Sequence, residues 1–431
     1  MFTKKTIHDI DLRGKTVLLR ADYNVPMTAD GQIADDYRIK QSLPTVKYLL
    51  DHHAKVIICS HLGRPKGPDD ASCSLFSVAK RLQQLLKHEV NFVPDCVGPR
   101  AEKAAALLKQ GDVALLENLR FHPEEEANDD EFAKQLASLA DIFVQDGFGV
   151  VHRAHASTDA VTKHLPAVAG LLLEREVDTI TNVMSQPSRP MMALVGGAKI
   201  SDKIDILRIF IDIADFVAVG GAMANTFLMA KGIEVGDSLV AKEDLPLARE
   251  ILKKAEEKAK EKYFVFYLPQ DGIVASKLDR TAATRVVDWG SHVLSEVENY
   301  PKRPPLRASR VAAHEKILDI GPTSASFIAG ALQLTNTVVW NGTMGVTETE
   351  SLRGPIGPFA HGTETVIEAV TGHLGHRPFS VIGGGDTVGY IQQRNLVSMF
   401  NHVSTGGGAS LELMAGRTLP GVAALQDKDH A

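Results

Sequence analysis

Two lysines follow a pair of glycines in the stretch MMALVGGAKISDKIDIL, residues 191–207. Lys199 and Lys203 are four residues apart, so on a helix they share a face, where like charges repel by roughly 0.2–0.5 kcal/mol. Such a pair is favourable when an anionic group lies between the two ammonium groups. The stretch therefore indicates an anion-binding turn, and the alternative is a solvated helix face that carries two ordinary lysines.

Cationic and polar side chains follow the apolar runs in the first half of the chain. They are Arg20, Asp22, Asn24, His61, Arg64, Arg120 and Arg153. Ligands of open parallel sheets bind outside the carboxyl ends of the strands, and arginine forks pair bidentately with phosphate and carboxylate oxygens. We expect these residues to clamp a small polyanion. For His61 taken alone, a packed position in the core is the alternative.

Glycine pairs and triplets follow the apolar runs of the second half, at 196–197, 220–221, 383–385 and 406–408. Glycines let the backbone approach a bulky ligand closely, and the helix that follows presents its first N–H groups to phosphates. The two halves therefore predict two domains, each with its own ligand.

Several other chemistries lack their motifs. The tripeptide Gly14-Lys15-Thr16 resembles the end of a Walker A loop, but Asp9 stands where the first glycine of that loop is required. The stretch GFGVVH at 147–152 fails the dinucleotide pattern, and the chain contains neither HExxH nor GxSxG. His152 and His155 have a spacing that permits metal binding, but no cysteine or carboxylate cluster accompanies them, which favours capping or packing.

Short aliphatic or β-branched runs alternate with turns and with longer stretches of helical period, which predicts βα units, parallel strands and an α/β architecture throughout. The runs include 16–26, 55–65, 112–121 and 141–155, then 191–199, 215–227, 263–271, 315–324, 337–346 and 379–387. The helical segment 167–190 ends in Gln-Pro-Ser-Arg-Pro and is the expected domain boundary. The alternating charges of 247–263 predict a solvated helix, whereas 279–313 indicates no clear element.

Composition is ordinary for a globular protein. The 431 residues, 44% of them hydrophobic and 23% charged, favour two domains of about 200 residues each. With 47 basic and 53 acidic side chains the net charge is −6, which argues against a nucleic-acid or membrane-surface partner. Cys59, Cys73 and Cys96 form no CxxC pair and predict reduced thiols rather than a disulfide framework or a zinc site. No apolar leader or membrane span is evident, so we expect a cytoplasmic protein.

Taken in order, the motifs resemble those of the phosphoglycerate kinase family along nearly the whole chain. The matching stretches are RADYNVP (20–26), YRIKQSLPTVKYLL (37–50), SHLGRP (60–65), LLENLRF (115–121), HRAHAS (152–157), GGAKISDKI (196–204), GGAMANTF (220–227), DIGP (319–322), WNG with MGV (340–346), GGGDT (383–387) and STGGGASLE (404–412). So many motifs in collinear order are far more specific than a single glycine turn.

The resemblance implies two Rossmann-like domains with parallel sheets around a central cleft. It implies an acid-substrate domain at 1–168, a connecting hinge helix at 169–190, a nucleotide-binding domain at 191–413, and a tail at 414–431 that packs back on the first domain. The implied acid-substrate residues are Asp22, Asn24, Arg38, His61, Arg64, Arg120 and Arg153. The implied nucleotide residues are Lys199, Lys203, Gly220, Gly342, Glu348, Gly384, Gly385, Asp386 and Thr387. A monomer is also implied.

The implied reaction moves a phosphoryl group reversibly between 1,3-bisphosphoglycerate and ADP, giving 3-phosphoglycerate and ATP, in glycolysis and gluconeogenesis. The charge of the transferring group spreads over three oxygens, so catalysis depends mostly on positioning and on cations.

Among the catalytic candidates, Arg38 and Lys203 would touch the group in flight and Lys199 would hold it nearby. Asp386 would bind Mg²⁺, which otherwise keeps water and phosphate oxygens, and Thr387 would complete the phosphate cradle. Because the reactants would sit on different domains, we expect in-line transfer after domain closure. A binding protein without turnover and a nicotinamide-dependent dehydrogenase are the other hypotheses.

Several positions depart from the usual pattern of the family, among them Gln270, Thr343 and Thr347. The family usually has an apolar residue at the first, proline at the second and phenylalanine at the third. We expect any effect of these departures to fall on nucleotide affinity before it falls on the reaction. The chain is also longer than is typical by roughly 20 residues within 279–313, where a polar, proline-bearing excursion is expected.

Overall fold

The computed structural model describes residues 2–67, 70–289, 310–349, 351–352 and 354–428. Backbone contacts divide the chain into two compact units. The first unit combines the residues up to Asn182 with those from Thr405 onward, and the second unit runs from Val183 to Ser404.

The first unit is built on a six-stranded sheet. Its strands are β1 Thr16–Arg20, β2 Lys55–Cys59, β3 Val90–Val93, β4 Val113–Leu116, β5 Ile142–Gln145 and β6 Ala167–Ala169. The order is β3-β4-β2-β1-β5-β6 and the described pairings are parallel, so that Val17 aligns with Val56 on one side and Ile142 on the other. These short aliphatic runs suit a sheet covered on both faces. Because the strands are parallel, the loops after β1, β2, β4 and β5 lie at the same edge.

Four helices lie between these strands along the chain, and a fifth follows β6. They are α1 Tyr37–Asp51, α2 Phe76–Leu86, α3 Gly98–Leu107, α4 Asp130–Ala137 and α5 Leu171–Ser185. The helix α1 buries Ile39, Val46 and Leu49 in the core of the unit, as expected for apolar residues three to four positions apart.

The second unit contains nine strands and six helices among its described residues. The strands are β7 Met191–Val195, β8 Phe216–Val219, β9 Val265–Tyr267, β10 Asp271–Ala275, β11 Arg285–Asp288, β12 Lys316–Ile320, β13 Thr337–Asn341, β14 Phe379–Gly383 and β15 His402–Val403. The helices are α6 Ile204–Ile213, α7 Gly221–Ala230, α8 Leu245–Glu261, α9 Pro322–Leu332, α10 His361–Val370 and α11 Gly385–Gln393. Six strands form a parallel sheet in the order β15-β14-β13-β7-β8-β9. The predicted α/β fold with two parallel sheets is confirmed, and α8 confirms the helix predicted at 247–263.

The prediction of parallel strands throughout is wrong for one part of the second unit. The strands β10, β11 and β12 form a separate antiparallel sheet in the order β11-β10-β12. The run 315–324, predicted as a parallel strand, supplies β12. The core of this antiparallel sheet is small, with Val274, Val287 and Val311 buried together. Part of the segment 279–313 forms β11, and the expected excursion falls largely on 290–309, outside the described residues.

The C-terminal segment of the first unit contains the short helices α12 Gly407–Met414 and α13 Pro420–Ala423. Its backbone pairs with the beginning of the chain, since the Lys5 N–H donates to the Gln426 carbonyl at 2.8 Å. The Gln426 N–H in turn donates to Ala167 at 3.0 Å. At the other end of the segment, the Thr405 N–H and hydroxyl both donate to the Glu176 carboxylate, at 2.6 and 2.8 Å.

These contacts explain why the two compact units do not end at the residues expected for the domains. The segment that groups with the first unit begins at Thr405 instead of 414, because Thr405 is held by Glu176 of α5. The other division falls after Asn182, inside the segment 169–190. The expected domain and hinge bounds themselves stay a prediction. None of the described helices is both long and apolar enough to cross a membrane.

Candidate active site

A cavity of about 420 Å³ lies in the first unit beside the loops that follow β1, β2, β4 and β5. All seven residues predicted for the acid substrate line it: Asp22, Asn24, Arg38, His61, Arg64, Arg120 and Arg153. We call this space the arginine cavity. The structure therefore brings together residues that the sequence distributes over more than one hundred positions, because parallel strands place their following loops at one edge of the sheet.

Arg38 is held at the start of α1 by two groups from the β1 loop. Its Nη1 lies 3.2 and 3.1 Å from the two carboxylate oxygens of Asp22, and it donates to the Asn24 carbonyl at 2.9 Å. Asn24 uses its side-chain oxygen to accept the Gly63 N–H at 2.8 Å. The side chain of Arg38 keeps 29% of its surface exposed. The guanidinium is thus fixed in position while part of it stays available to a ligand.

Arg120 is positioned by the loop after β2. Its Nη1 donates to the Gly63 carbonyl at 2.9 Å, and its Nε lies 3.0 Å from the Glu126 carboxylate. Burial lowers the pKa of Arg120 from its ordinary value, but a guanidinium stays charged at neutral pH. Arg64 and Arg153 are exposed where they line the cavity. Among the residues that the structure describes, four arginines and one carboxylate, that of Asp22, line this space, and the net potential favours an anion of several charges.

A buried polar layer behind the arginine cavity was missed by the sequence analysis. Arg20, predicted as part of the clamp, is only 1% exposed and does not line the cavity. It donates to the Ser157 hydroxyl at 2.7 Å and the Ala21 carbonyl at 2.5 Å, and its Nη2 lies 3.7 Å from the buried Glu125 carboxylate. The position of Arg20 at the end of a strand gave no sign of this, because a strand's last residue can face either side of the sheet.

His61 connects this buried layer with the cavity. The Arg20 Nη2 lies 3.3 Å from His61 Nδ1, and a guanidinium can only donate, so this nitrogen is the acceptor and Nε2 carries the proton. Burial, reinforced by the charges of Arg20, Arg120 and Arg38, lowers the pKa of His61 well below its ordinary value. His61 is therefore a neutral hydrogen-bond donor.

The two other histidines of this region also stay neutral. Burial lowers the pKa of His152, which lines the cavity 3.3 Å from the Arg153 Nε. Burial together with nearby arginines lowers the pKa of His155 to about 4. Within the part of the chain that the structure describes, neither belongs to a cluster of three metal-ligating groups. Gly407 and Gly408 of the C-terminal segment complete the lining, and the sequence analysis had assigned their glycine triplet to the second half of the chain.

A second cavity, of about 610 Å³, lies in the second unit between the glycine turns and the antiparallel sheet. We call it the glycine cavity. Of the predicted nucleotide residues, Glu348 and Asp386 line it directly. The other seven predicted residues, Lys199, Lys203, Gly220, Gly342, Gly384, Gly385 and Thr387, are not among its lining residues. Lining residues that the sequence analysis missed include Asn225, Leu239, Trp289 and Asp319.

Lys199 and Lys203 do not share a helix face, so that expectation is wrong. Lys199 lies in an irregular turn, and α6 begins only at Ile204, after Lys203. The Lys199 side chain is 53% exposed, and its ammonium lies 3.3 Å from the Glu243 carboxylate. The glycines and a following 3₁₀ turn interrupt the helix that the four-residue spacing assumed.

Lys203 points to the ends of two strands instead. Its ammonium donates to the Gly196 carbonyl at 2.5 Å, the Asn341 carbonyl at 3.0 Å and the Asn341 side-chain oxygen at 2.7 Å. Burial lowers its pKa to about 8, partly offset by Asp386 and Asp202. The three carbonyl-type oxygens therefore hold a lysine whose charge is only moderately stable at neutral pH.

The glycines at these strand ends are required by close backbone contact. A Cβ on Gly196 would meet the backbone of Gly342 and Thr343, and Gly342 has a φ of +107°, which favours glycine. The Gly342 N–H is satisfied by the buried hydroxyl of Thr387 at 2.8 Å. Thr387 thus braces the turn after β13.

Asp386 lies exposed in the first turn of α11, beside the glycine cavity. Gly384, with a φ of +86°, forms the cap of that helix. Of the three named departures from the family pattern, Thr343 is buried and lines the glycine cavity. Gln270 is held through its backbone. Its N–H donates to the Ser324 hydroxyl at 2.9 Å, and its carbonyl accepts the Trp289 N–H at 2.9 Å. Thr347 is not among the lining residues.

A parallel α/β fold, an anion cavity with four arginines and a second cavity bounded by glycine turns are typical of an α/β enzyme that transfers phosphoryl groups. The family model described as phosphoglycerate kinase matches residues 7–417. Among curated relatives, the phosphoglycerate kinase of Moorella thermoacetica is 47% identical over 99% of this chain and 100% of its own length. That of Chloroflexus aggregans is 45% identical over the same shares. The chain belongs to the phosphoglycerate kinase family, and it is a kinase.

Solved structures agree with this assignment. The structure of phosphoglycerate kinase from Coxiella burnetii has a TM-score of 0.80 and 35% identity, covering 98% of each chain. The phosphoglycerate kinase of Pyrococcus horikoshii OT3 has a TM-score of 0.79 and 32% identity, covering 99% of this chain and 98% of that chain.

Proposed function

We propose that this enzyme transfers a phosphoryl group reversibly between 1,3-bisphosphoglycerate and ADP, giving 3-phosphoglycerate and ATP, as a step of glycolysis and gluconeogenesis. The arginine cavity is the observation that carries this proposal. Within the described ranges it is lined by four arginines and a single carboxylate, and 3-phosphoglycerate offers both a carboxylate and a phosphate to such cations. The family membership of the chain supports the same substrate.

In this proposal the seven predicted residues contribute to binding of the acid in different ways. Arg38 supplies a positioned guanidinium that stays partly exposed, while Arg64, Arg120 and Arg153 bind its remaining oxygens. His61 donates from Nε2 without adding a charge. Asn24 and Asp22 hold Arg38 and the Gly63 turn, as their hydrogen bonds indicate.

We place the nucleotide at the glycine cavity. Gly385 would allow its close approach to the backbone, whereas Gly220, Gly342 and Gly384, whose added Cβ atoms would meet Met344, Gly196 and Asn341, let the strand ends pack together beside it. The N-terminal turn of α11 would face its phosphates, and Glu348 lies at the rim. Thr387, whose hydroxyl is bonded to Gly342, supports this turn from behind.

Arg38, Lys199 and Lys203 would stabilise the charge of the transferring group. To contact that group, Lys203 must exchange one of its bonds to Gly196 or Asn341 for a phosphoryl oxygen. An anion at this place would also raise its pKa above the value of about 8. The attacking carboxylate of 3-phosphoglycerate is ionised at neutral pH because its pKa is about 4, so the reaction requires no general base.

Magnesium would accompany the nucleotide. The exposed carboxylate of Asp386 beside the glycine cavity is the kind of oxygen ligand that Mg²⁺ prefers, and Mg²⁺ is commonly bound by one or two carboxylates plus substrate phosphates. When bound, the ion would neutralise charge on the nucleotide phosphates.

The two ligands would bind to different units, so in-line transfer requires that they be brought together and that water be excluded. We propose that the domains close about the segment 169–190, which contains α5. We also propose that the protein is a monomer and is located in the cytoplasm. Small-angle scattering should show compaction when 3-phosphoglycerate and a magnesium nucleotide are both added. An unchanged radius of gyration would contradict closure.

The test of the reaction is ADP formation from MgATP and 3-phosphoglycerate. We expect turnover that falls by about 10²–10³-fold in Arg38→Ala and in Lys203→Ala, the loss typical of removing one charge-stabilising donor. Arg100→Ala on α3 and Lys254→Ala on α8 are matched controls, because neither side chain lines a cavity of the proposed site, and both should retain activity. Binding of both ligands without turnover would contradict the proposal and would favour a binding protein instead, with Thr343 as the first position to examine.

A further inference from the structure

A cluster of three potential metal ligands lies in the first unit outside the arginine cavity. Asp95 and Cys96 lie in the loop between β3 and α3, and His122 follows the short 3₁₀ turn Leu119–Phe121 after β4. One ligand atom from each of these three side chains lies within 4.8 Å of the other two. Within the described ranges this is the one cluster of three or more such groups.

The three donor atoms are of the kinds that zinc and similar cations bind. Cysteine sulfur binds Zn²⁺ at about 2.3 Å, and histidine nitrogen and carboxylate oxygen bind it at about 2.0–2.2 Å. In a tetrahedral arrangement these bond lengths place the ligand atoms roughly 3.3–3.8 Å apart. The ligand atoms lie within 4.8 Å of one another, and His122 Nε2 lies 2.9 Å from the Asp95 carboxylate, so binding would change these separations by at most about 1.5 Å.

The exposure of the cluster fits a site that is closed on one side and open on the other. Cys96 is only 1% exposed, whereas the side chains of His122 and Asp95 are 32% and 37% exposed. A cation could thus enter past His122 and Asp95 and reach the sulfur, with one coordination position left for water. Open sites with three protein ligands and a water are common for zinc.

Hydrogen bonds already orient two of the ligands. The ring Nε2 of His122 lies 2.9 Å from the Asp95 carboxylate, and the same oxygen accepts the Cys96 N–H at 2.8 Å. The His122 ring also packs against Phe132, with ring centroids 5.3 Å apart. A cation bound by His122 Nε2 and the Asp95 carboxylate would replace the hydrogen bond between them, while the Cys96 N–H would still orient Asp95 and Phe132 would still support the His122 ring.

We propose that Asp95, Cys96 and His122 bind a zinc-like divalent cation, with water as the fourth ligand. On binding, the Cys96 thiol loses its proton to solvent and the thiolate forms the bond to the metal. No zinc site was predicted from the sequence because its cysteines form no CxxC pair. This cluster instead joins one cysteine with a histidine from a different loop.

Titration of the full chain with Co²⁺ alone tests the proposal, because cobalt bonded to a thiolate shows a near-ultraviolet charge-transfer absorption. After treatment with a chelator, the protein should bind one Co²⁺ with this absorption, and added Zn²⁺ should remove it. Cys96→Ser should abolish the absorption. Asp95→Asn and His122→Asn should each weaken Co²⁺ binding at least about tenfold.

Cys73→Ser is the matched control, since Cys73 is another free, buried thiol of the first unit that lies outside the cluster, and it should keep the absorption. Absence of the charge-transfer band in the parent, or its survival in Cys96→Ser, would overturn the proposal. Should Cys96→Ser fail to fold, the variants of the two partly exposed ligands give the same test. Unchanged Co²⁺ affinity in both would then reject the site.

Discussion

His61 is a neutral side chain among cations. Arg20, Arg120 and Arg38 surround it and, together with burial, lower its pKa well below the ordinary value. A further positive charge on His61 would be costly without a ligand, because three arginines already surround it. A neutral ring offers its Nε2–H as a donor without adding a charge. The Arg20 contact at 3.3 Å selects this donor form, so Arg20 acts on the cavity through His61 without lining it.

A neutral donor predicts that glutamine can replace His61. His61→Gln should keep the KM for 3-phosphoglycerate within a few-fold of the parent, whereas His61→Ala should raise it about tenfold, as expected for a lost hydrogen bond of about 1.4 kcal/mol. Steady-state kinetics measure both values. The His61 ring signal in NMR spectra should also show no titration around pH 6.5, the ordinary value for histidine.

The pH dependence of stability has a definite sign at this residue. The folded pKa of His61 lies below the unfolded value of about 6.5, so its contribution is fully present above that pH and is lost as the pH falls. His61→Gln should therefore be less sensitive to acid than the parent. A His61 signal that titrates near pH 6.5 in the ligand-free protein would contradict this account.

Residues that line the arginine cavity were predictable from sequence where a charged side chain follows a strand. Arg64, Arg120 and Arg153 illustrate this, because the parallel topology alone brings their loops to one edge. The positions of Lys199 and Lys203 were not predictable in the same way. Their directions depend on a glycine turn that interrupts the helix and on Asn341, a distant residue whose two oxygens bind Lys203.

At the scale of elements, the N-terminus of α5 is held by a buried carboxylate. Asp146, which follows β5, accepts the Leu172 and Leu173 N–H groups at 2.9 and 3.2 Å. Burial raises the pKa of Asp146 to about 7, although hydrogen bonds from Thr45 and from these two N–H groups lower it. Gly170 lies so close that a Cβ there would contact Asp146. The helix start is thus capped by a group that is partly protonated at neutral pH.

Asp146 should make the first unit less stable as the pH rises. The folded pKa of about 7 exceeds the ordinary value of 3.8, so the folded state binds more protons between these values and the stabilising contribution is lost as the pH rises through this window. Asp146→Asn keeps an oxygen acceptor without the charge, and its unfolding free energy should exceed that of the parent by about 1 kcal/mol or more at pH 8. Asp146→Ala should lose about 0.5–2 kcal/mol at pH 5, as for a lost helix cap.

Urea unfolding followed by circular dichroism at pH 5 and pH 8 measures these changes. Asp141→Asn is the matched control, because Asp141 also accepts a backbone N–H, from Thr16 at 2.8 Å, but is exposed. Its variant should show no such gain at pH 8. A gain at pH 8 that is equal in the two variants would contradict the assignment to Asp146.

The parallel sheets could be predicted because continuous aliphatic runs alternating with helices are typical of βα units. Strand direction could not be read for β12, since its run Lys316–Ile320 resembles the parallel strands in composition. Its antiparallel pairing with β10 aligns Ile317 with Val274 and packs Ile317 against the small core of this sheet, which the sequence does not reveal.

At the scale of the whole molecule, the first unit is completed by a segment distant in sequence. Residues from Thr405 onward contribute Gly407 and Gly408 to the arginine cavity. The same segment pairs with the beginning of the chain through Lys5 and Gln426. Its contact with Glu176 at the other end uses a fully buried carboxylate. The first unit should therefore depend on this segment for stability, although the second unit should not.

The two units can be observed separately because both tryptophans, Trp289 and Trp340, lie in the second unit. A chain that ends at Ser404 should unfold in two steps in urea. The step seen by tryptophan fluorescence should match the parent, whereas circular dichroism should show an earlier step that reports the first unit. The physical reason is the loss of buried apolar contacts such as Leu419 and Leu425, each contributing about 1.5–3 kcal/mol when fully buried.

Adding the missing segment back as a separate peptide distinguishes this explanation from general damage to the chain. A synthetic peptide of residues 405–431 should move the early step toward the parent position in a concentration-dependent manner, as any ligand that binds only the folded state does. A peptide of the same composition in scrambled order should have no effect. If the truncated chain unfolds in a single step with the parent's midpoint, or if its tryptophan step shifts as much as its early step, then the segment does not stabilise the first unit selectively. The dependence of the arginine cavity on the end of the chain would then have to be abandoned.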